Sequence, residues 1–283
     1  MINDPVILLV ERLFAIACGL VWGSFLNVCI YRLPRDKSVI SPGSSCPACA
    51  KAIAWYDNIP VISFLLLKGK CRHCSQKISG RYPLVELLGG LMFLILFNHF
   101  GPSGMFLKSA FFFSLLIVVS FIDIDFRAIP AYLCLLGIIV AICADSVITI
   151  RMVREGYFDP GSLPLVATLR NLVLGFGVGY AFKFFGDFFI AFYLGLRHKE
   201  SIEGETESLG LGDVDFLGLA AVYLGAAKAV LVFFVAPFIA AGYAIFAFIF
   251  KKSHLIPYLP YLSAATIVVF FWGDNIWKLI FHF

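Results

Sequence analysis

The chain contains the stretch AAKAVLVFFVAPFIAAGYAIFAFIF between Ala226 and Phe250, in which Lys228 is the only charged residue. A transmembrane α-helix needs about 20 consecutive apolar residues, so this stretch is long enough to cross a bilayer. The whole chain has the same character, because 61% of its 283 residues are hydrophobic and 14% are charged. Soluble domains are about 45–50% apolar and about 25% charged. The sequence therefore predicts an all-α polytopic membrane protein, and it excludes a water-soluble globule, a disordered chain, a collagen and a secreted disulfide scaffold.

Seven further apolar stretches bring the predicted number of spans to about eight. They are Val6–Ile30, Leu84–Phe100, Met105–Ile122, Ile129–Ile150, Thr168–Leu196, Val214–Leu224 and Tyr258–Ile280. The stretch Val214–Leu224 is too short to cross alone without tilt or a re-entrant turn, so seven crossings are the alternative. The first stretch is followed by Arg32, Arg35 and Lys37 instead of small residues. We interpret it as a retained anchor and not as a cleaved signal peptide.

The distribution of positive charge predicts the orientation of these spans. Short loops rich in Lys and Arg stay in the cytoplasm. The long polar stretch from Tyr31 to Arg81 carries nine such residues. The opposite loops carry only Lys108, Arg151 and Arg154. We therefore expect the N-terminus outside and the polar stretch in the cytoplasm.

Four of the eight cysteines form two pairs, Cys46-Pro-Ala-Cys49 and Cys71-Arg-His-Cys74, with 21 residues between the pairs. Two such pairs suit four thiolates around a tetrahedral zinc ion. Four cysteine ligands leave no open position for water, so the predicted zinc is structural. Two disulfides are an alternative that the predicted cytoplasmic location disfavours. A redox pair is another, but it would need a βαβ setting.

Acidic residues inside or beside membrane spans are costly and usually functional. Two clusters stand out: Asp123 with Asp125 at the end of the third span, and Asp213 with Asp215 at the start of the sixth. The predicted topology brings both clusters to the cytoplasmic face, although Asp123 and Asp213 are 90 residues apart. Two neighbouring carboxylates can hold a water, one acting as base and the other as acid. This pattern predicts peptide hydrolysis by an aspartic dyad, and the alternative is an acid that caps a helix start.

Glycines precede the second acid cluster. Gly210 and Gly212 would let the backbone approach a partner helix and bend just before Asp213. Non-helical backbone at membrane depth is tolerated only where it lines a wet cavity. Other acids have simpler interpretations, since Asp187 can pair with Lys183 one helical turn earlier. Two acids near the predicted outer ends of spans are expected to be solvated, Asp145 and Asp274.

Several short motifs follow one another along nearly the whole chain. They are Gly23-Ser24-Phe25-Leu26-Asn27-Val28, Tyr31-Arg32-Leu33-Pro34, the first cysteine pair, Tyr56-Asp57-Asn58-Ile59-Pro60, the second cysteine pair, Ile78-Ser79-Gly80-Arg81-Tyr82-Pro83 with Glu86, Asp123 seven residues before Pro130, and Gly210-Leu211-Gly212-Asp213. In this order they resemble the type IV prepilin peptidases, a family of leader peptidases and N-methyltransferases. The resemblance implies a presenilin-like G-x-G-D core with Asp123 and Asp213 as the catalytic pair, supported by Gly210 and Gly212.

The resemblance also implies an activity and a location. Members of this family cut the basic leader from prepilins or pseudopilins after a glycine, at the cytoplasmic face of the bacterial inner membrane. They then methylate the new N-terminal residue with S-adenosylmethionine. The implied partners are prepilin N-terminal segments and the lipid bilayer, and no nucleic acid is expected. The implied domains are a methyltransferase-type region at residues 1–100, with the zinc loop at 31–82, and a peptidase domain at residues 101–283.

The cofactor site is the least specified part of this prediction, because no Gly-rich dinucleotide motif opens a helix. Three polar residues near the cytoplasmic interface are candidates for methyl transfer: Asp57, Arg81 and Glu86. Their simpler roles are loop hydrogen bonds and a charge at a helix N-terminus. A peptidase without methyltransferase activity therefore stays open as an alternative.

Three positions depart from the family pattern and make an atypical substrate preference possible. Asp215 stands where the family commonly has Lys, Ala131 where it has Asp, and Ile256–Pro260 where it has Pro-Phe-Gly-Pro. Four acids before the G-x-G-D motif form either a solvated loop or an attraction for the basic leader, Glu200, Glu203, Glu205 and Glu207. The alternatives from other classes are a proton or cation transporter, for which no internal repeat is found, and a non-enzymatic scaffold.

Overall fold

The structure is a computed structural model that describes residues 5–127, 130–197, 209–249 and 257–281. The four predicted loop acids Glu200, Glu203, Glu205 and Glu207 lie outside these ranges. The described residues form α-helices and no β-strand, which confirms the all-α prediction. The helices are α1 (Pro5–Arg32), α2 (Ile62–Leu66), α3 (Arg81–Phe100), α4 (Gly104–Phe126), α5 (Ala131–Arg154), α6 (Pro164–Arg197), α7 (Leu211–Leu224), α8 (Ala226–Ile249) and α9 (Leu259–Phe281).

Six of the described helices are long and apolar enough to cross a membrane: α1, α3, α4, α5, α6 and α8. The other two predicted spans are helices as well. With 14 residues, α7 is about 21 Å long, which is short for a membrane span. By contrast, α9 has 23 residues and carries Asp274 and Lys278 in its second half, and it is not among the six. The polytopic membrane fold is confirmed, with six crossings supported by length and composition.

The chain divides into two compact units, one ending at Ile122 and the other beginning at Asp123. In the first unit, α1 and α3 meet backbone to backbone. A Cβ atom added to Gly19 would lie 2.5 Å from the carbonyl oxygen of Gly89, and one added to Gly23 would lie 2.7 Å from the Cα atom of Glu86. Small residues allow membrane helices to approach this closely. This contact brings the two ends of the cysteine loop together.

In the second unit, α7 is the central helix and packs against α5, α6, α8 and α9. Its sequence is apolar on all sides after Asp215, as expected for a buried helix. A Cβ atom added to Gly179 of α6 would lie 3.0 Å from Val214, and Gly175 lies against Ala221 in the same way. The glycine face of α6 therefore fixes the position of α7, and with it the position of Asp213 at the helix start.

Candidate functional site

The Asp123 side chain lies one turn before the end of α4 and is only 6% exposed. Its Oδ2 accepts a hydrogen bond from the backbone N–H of Leu259, at 3.3 Å. Leu259 is the first residue of α9, and the first N–H groups of a helix have no partner within the helix. Asp123 thus caps α9 from a distant part of the chain. Its neighbour Asp125 is exposed. Burial therefore singles out Asp123, the same acid that the family resemblance selects.

The Asp213 side chain lies in the first turn of α7 and is half-buried. Its Oδ2 accepts a hydrogen bond from the backbone N–H of Gly210, at 3.3 Å. Gly210 precedes the helix with extended backbone, φ −68° and ψ 151°. A carboxylate that reaches back to the N-cap N–H is the acidic half of a capping box. Asp213 therefore does cap a helix, as the alternative interpretation of the sequence predicted. The same hydrogen bond holds its carboxylate at the N-terminal end of α7.

The structure brings Asp123 and Asp213 together. Both acids belong to the second unit, and their carboxylates are close enough to interact electrostatically. Asp123 is buried, Asp213 is half-buried, and each accepts a hydrogen bond from a backbone N–H. Two carboxylates in this arrangement can hold a water molecule, with one accepting a proton and the other donating one.

Lys183 is a site residue that the sequence did not reveal. Its Nζ donates a hydrogen bond to the backbone carbonyl of Leu209, at 2.9 Å. Lys183 also pairs with Asp187 at 3.2 Å, which confirms the predicted ion pair. Residues spaced by four share one face of a helix, so Lys183 extends the face formed by Gly175 and Gly179 past the start of α7. That spacing of two glycines and a lysine is the sequence signal that could have indicated the contact.

The prediction for Asp145 was wrong. The residue lies toward the end of α5 but is buried, and its carboxylate accepts a hydrogen bond from the hydroxyl of Thr168 on α6. The reason is that Thr168 lies only one turn into α6, so the next helix covers the end of α5. Asp274 fits its prediction, since its carboxylate is exposed and pairs with Lys228 at 2.8 Å.

The four cysteines of the two pairs meet in the first unit. All of their sulfur atoms lie within 4.8 Å of one another, and the Sγ atoms of Cys46 and Cys74 are 3.8 Å apart. A tetrahedral zinc site with Zn–S bonds of about 2.3 Å has edges of about 3.8 Å. All four cysteines are free thiols, which argues against the disulfide alternative. The donor set and its spacing fit a metal ion.

Each cysteine pair closes into the same backbone turn. The N–H of Ala50 donates to the carbonyl of Cys46 at 2.8 Å, and the N–H of Ser75 donates to the carbonyl of Cys71 at 3.0 Å. Ala50 and Ser75 both take left-handed backbone, with φ of 55° and 56°. Non-glycine residues avoid this region. Because Ala50 and Ser75 both adopt it at the same position after a cysteine pair, the two pairs share one local turn structure.

The electrostatics of the cluster suit metal binding. The backbone N–H groups of Cys49 and Ala48 point at the Cys46 sulfur and lower the pKa of Cys46 to about 6. The N–H of Gln76 lowers the pKa of Cys74, but desolvation and the three neighbouring sulfurs raise it to about 11. Thiolates are the form that binds metals. One thiolate is thus available near neutral pH, and a cation would stabilise the others.

The three candidates for methyl transfer have protein partners. Asp57 accepts two hydrogen bonds from the Arg72 guanidinium, at 2.6 and 2.7 Å, and Arg72 lowers the pKa of Asp57. Glu86 accepts the backbone N–H of Val61 at 2.7 Å. The Arg81 guanidinium carbon lies 5.9 Å from the ring centre of Tyr82. Asp57 and Glu86 therefore hold the loop through these contacts.

Comparisons with known proteins cover most of the chain. Residues 17–100 match the bacterial peptidase A24 N-terminal domain, and residues 110–245 match the type IV leader peptidase family. The prepilin leader peptidase/N-methyltransferase of Bacillus subtilis (strain 168) is 30% identical, over 91% of this chain and 93% of the relative. The protein of the same name from Neisseria gonorrhoeae is 29% identical, over 94% of this chain and 92% of the relative.

A third relative with this name, from Myxococcus xanthus (strain DK1622), is 34% identical over 75% of this chain. The match spans 55% of that longer relative. No solved structure matches the chain. The two adjacent family matches agree with the motif order found in the sequence. The chain therefore belongs to the type IV leader peptidase family.

Proposed function

We propose that this protein is a prepilin leader peptidase and N-methyltransferase of the bacterial inner membrane. It removes the basic leader from prepilins or pseudopilins and then methylates the new N-terminal residue. The family matches and the names of the relatives, which combine both activities, support this function. The observation that carries the peptidase step is that the Asp123 and Asp213 carboxylates, 90 residues apart in the chain, lie close enough to interact electrostatically.

In the proposed reaction, the two acids divide the proton transfers between them. One carboxylate takes a proton from a water held between them as the water oxygen attacks the scissile carbonyl carbon. The other donates a proton to the carbonyl oxygen, which gives a neutral tetrahedral intermediate. A proton then moves to the amide nitrogen, the C–N bond breaks, and the mature N-terminus leaves as an amine. Since the two groups titrate as a pair, the acid and base roles belong to the dyad.

Gly210 supports this site by its size. A Cβ atom added to Gly210 would lie 3.4 Å from the Asp213 Oδ2, so a side chain there would be in van der Waals contact with the carboxylate. Gly212 directly precedes Asp213 in the first turn of α7, and the family resemblance gives it the same supporting role.

The metal site and the domain roles belong to the same proposal. Cys46, Cys49, Cys71 and Cys74 hold a structural zinc ion, whose contribution is to cross-link the loop. Residues 1–100 form the methyltransferase-type region, and residues 101–283 form the peptidase domain. S-adenosylmethionine is the methyl donor that the N-methyltransferase name of the relatives implies. The charge asymmetry of the loops supports a cytoplasmic location for the loop and for the acid pair.

The test is to incubate the purified protein in detergent with a synthetic prepilin, with and without S-adenosylmethionine, and to record intact product masses. We expect loss of the leader under both conditions, and one added methyl group only when the cofactor is present. Cleavage without methylation would assign a peptidase alone. No cleavage of several prepilins by protein with native helical circular dichroism would overturn the proposal in favour of a transporter or scaffold.

A further inference from the structure

The short helix α2, inside the cysteine loop, presents its apolar face outward. Ile62, Leu65 and Leu66 are spaced by three and four residues, so they share one face. That face is open: Leu65 is 67% exposed and Leu66 is 76% exposed. The polar residue Ser63 is buried instead, and its hydroxyl donates to the carbonyl of Tyr56 at 2.9 Å. Such a contiguous apolar surface indicates an apolar partner.

The first residues of α2 contact α3, which in turn packs against α1, and both contacts lie more than one helical turn before the loop-side ends of these membrane-spanning helices. Its N-cap residue Val61 donates its N–H to the carboxylate of Glu86, which is five residues into α3, or about 7.5 Å along the axis. Glu86 itself packs on Gly23, about 13 Å before the end of α1 at Arg32. Val61 takes φ of 61°, a conformation that a β-branched residue rarely adopts. The loop is therefore held at the depth of the membrane boundary.

The residues on either side of α2 suit a membrane interface. Trp55 precedes α2 and is 80% exposed, and tryptophan is enriched at the level of lipid headgroups. Lys68 and Lys70 follow α2 and are exposed as well. Lysines next to a bilayer are attracted to anionic lipids. An apolar face bordered by an indole and two ammonium groups is the composition of an interfacial segment.

We propose that residues 55–70 form an interfacial wedge that rests in the bilayer. Ile62, Leu65 and Leu66 contact acyl chains, Trp55 lies among the headgroups, and Lys68 and Lys70 contact anionic lipid phosphates. The bilayer is favoured over a protein partner because Glu86 holds the wedge against a membrane-spanning helix. The wedge fixes the height of the cysteine cluster above the membrane, and it does not depend on the proposed enzymatic function.

The test uses the fluorescence of single tryptophans in the full-length protein. Replacement of Trp22, Trp272 and Trp277 by Phe leaves Trp55 alone, and the matched control keeps only Trp22, which lies within the membrane-spanning part of α1. Both proteins are reconstituted in phosphatidylcholine vesicles with phosphatidylglycerol, using lipids brominated near the headgroup or near the chain ends. We expect shallow bromines to quench Trp55 most, deep bromines to quench Trp22 most, and acrylamide to quench neither strongly.

Two further variants test which groups carry the contact. Leu65→Glu with Leu66→Glu changes only exposed positions, and we expect it to remove the shallow quenching of Trp55. Lys68→Glu with Lys70→Glu should remove only the increase in quenching that phosphatidylglycerol produces over pure phosphatidylcholine. Strong acrylamide quenching of Trp55 without bromolipid quenching would overturn the proposal. Acrylamide quenching that disappears only when a prepilin is added would also overturn it and assign the face to the substrate.

Discussion

The cysteine cluster and the aspartate pair are each built from two short motifs, but they are assembled in different ways. Each cysteine pair closes within five residues, through the hydrogen bonds from Ala50 and Ser75 to the first cysteine of each pair. Asp123 and Asp213 are not brought together by a hydrogen-bonded turn of this kind. Asp123 lies in the last turn of α4, Asp213 lies in the first turn of α7, and the backbone N–H of Leu259 in α9 contacts Asp123. Spacing along the chain therefore specifies the first site, whereas helix packing specifies the second.

Loss of one of the four proposed zinc ligands should give the largest effect, namely on the stability of the cysteine loop. We expect Cys46→Ser to abolish stoichiometric zinc binding, because structural zinc contributes on the order of 10 kcal/mol to folding of small zinc domains. The readouts are zinc per chain by mass spectrometry and the rate of proteolysis within the loop. The matched control is Cys143→Ser, an exposed cysteine of α5. Full zinc occupancy in Cys46→Ser would show that the four sulfurs are not the ligand set.

Loss of either proposed catalytic acid should give the next largest effect. We expect Asp123→Asn and Asp213→Asn each to slow leader cleavage by about a thousandfold, the contribution of a positioned acid or base. The matched controls are Asp125→Asn and Asp215→Asn, which make the same chemical change two residues away. Cleavage is measured by intact mass at equal amounts of folded protein. A smaller loss at Asp123 than at Asp125 would exclude the assigned pair.

Lys183 tests whether distant packing controls the aspartate site. Lys183→Met keeps the length and apolar character of the side chain but removes the bond to the Leu209 carbonyl. Hydrogen bonds from charged groups contribute about 1.5 kcal/mol, so we expect kcat to fall about tenfold with little change in KM. Lys183→Arg should restore part of the rate. Equal losses in the Met and Arg variants, or a change in KM alone, would argue against a positioning role.

The left-handed residues of the cysteine turns should give the smallest effect. Ala50→Gly and Ser75→Gly relieve a conformation that costs about 1–2 kcal/mol for L-residues. Because glycine also loses more entropy on folding, we expect a net stabilisation of the loop below about 1 kcal/mol. Ala52→Gly, beside the first turn and without positive φ, should destabilise it instead. Denaturant-induced zinc release measures both, and a destabilisation by Ala50→Gly would contradict the shared-turn description.

The difference between local turns and long-range helix packing also explains which features the sequence could predict. The meeting of the four cysteines followed from their spacing, and the apolar stretches predicted the helices of the fold, including the short α7. The Leu259 backbone contact with Asp123 could not be read from a local pattern, because it joins helices far apart in the chain. The burial of Asp145 was missed for the same reason, since Thr168 covers it from the next helix. The Lys183 contact with Leu209 was missed as well, although the spacing of Gly175, Gly179 and Lys183 carried a signal for it. The exposure of the apolar face of α2 could not be predicted either, because it depends on the polar Ser63 being the residue that points inward.

Asp123 and Asp213 should behave as one catalytic unit, and a double-mutant cycle measures this directly. Single-turnover cleavage of a synthetic prepilin is compared for the wild type, Asp123→Asn, Asp213→Asn and the double variant. Residues that act as a unit give strongly non-additive losses. We predict that each single variant falls to the same residual rate as the double variant. Multiplicative losses in the double variant, or a single variant that cleaves well above it, would contradict the dyad.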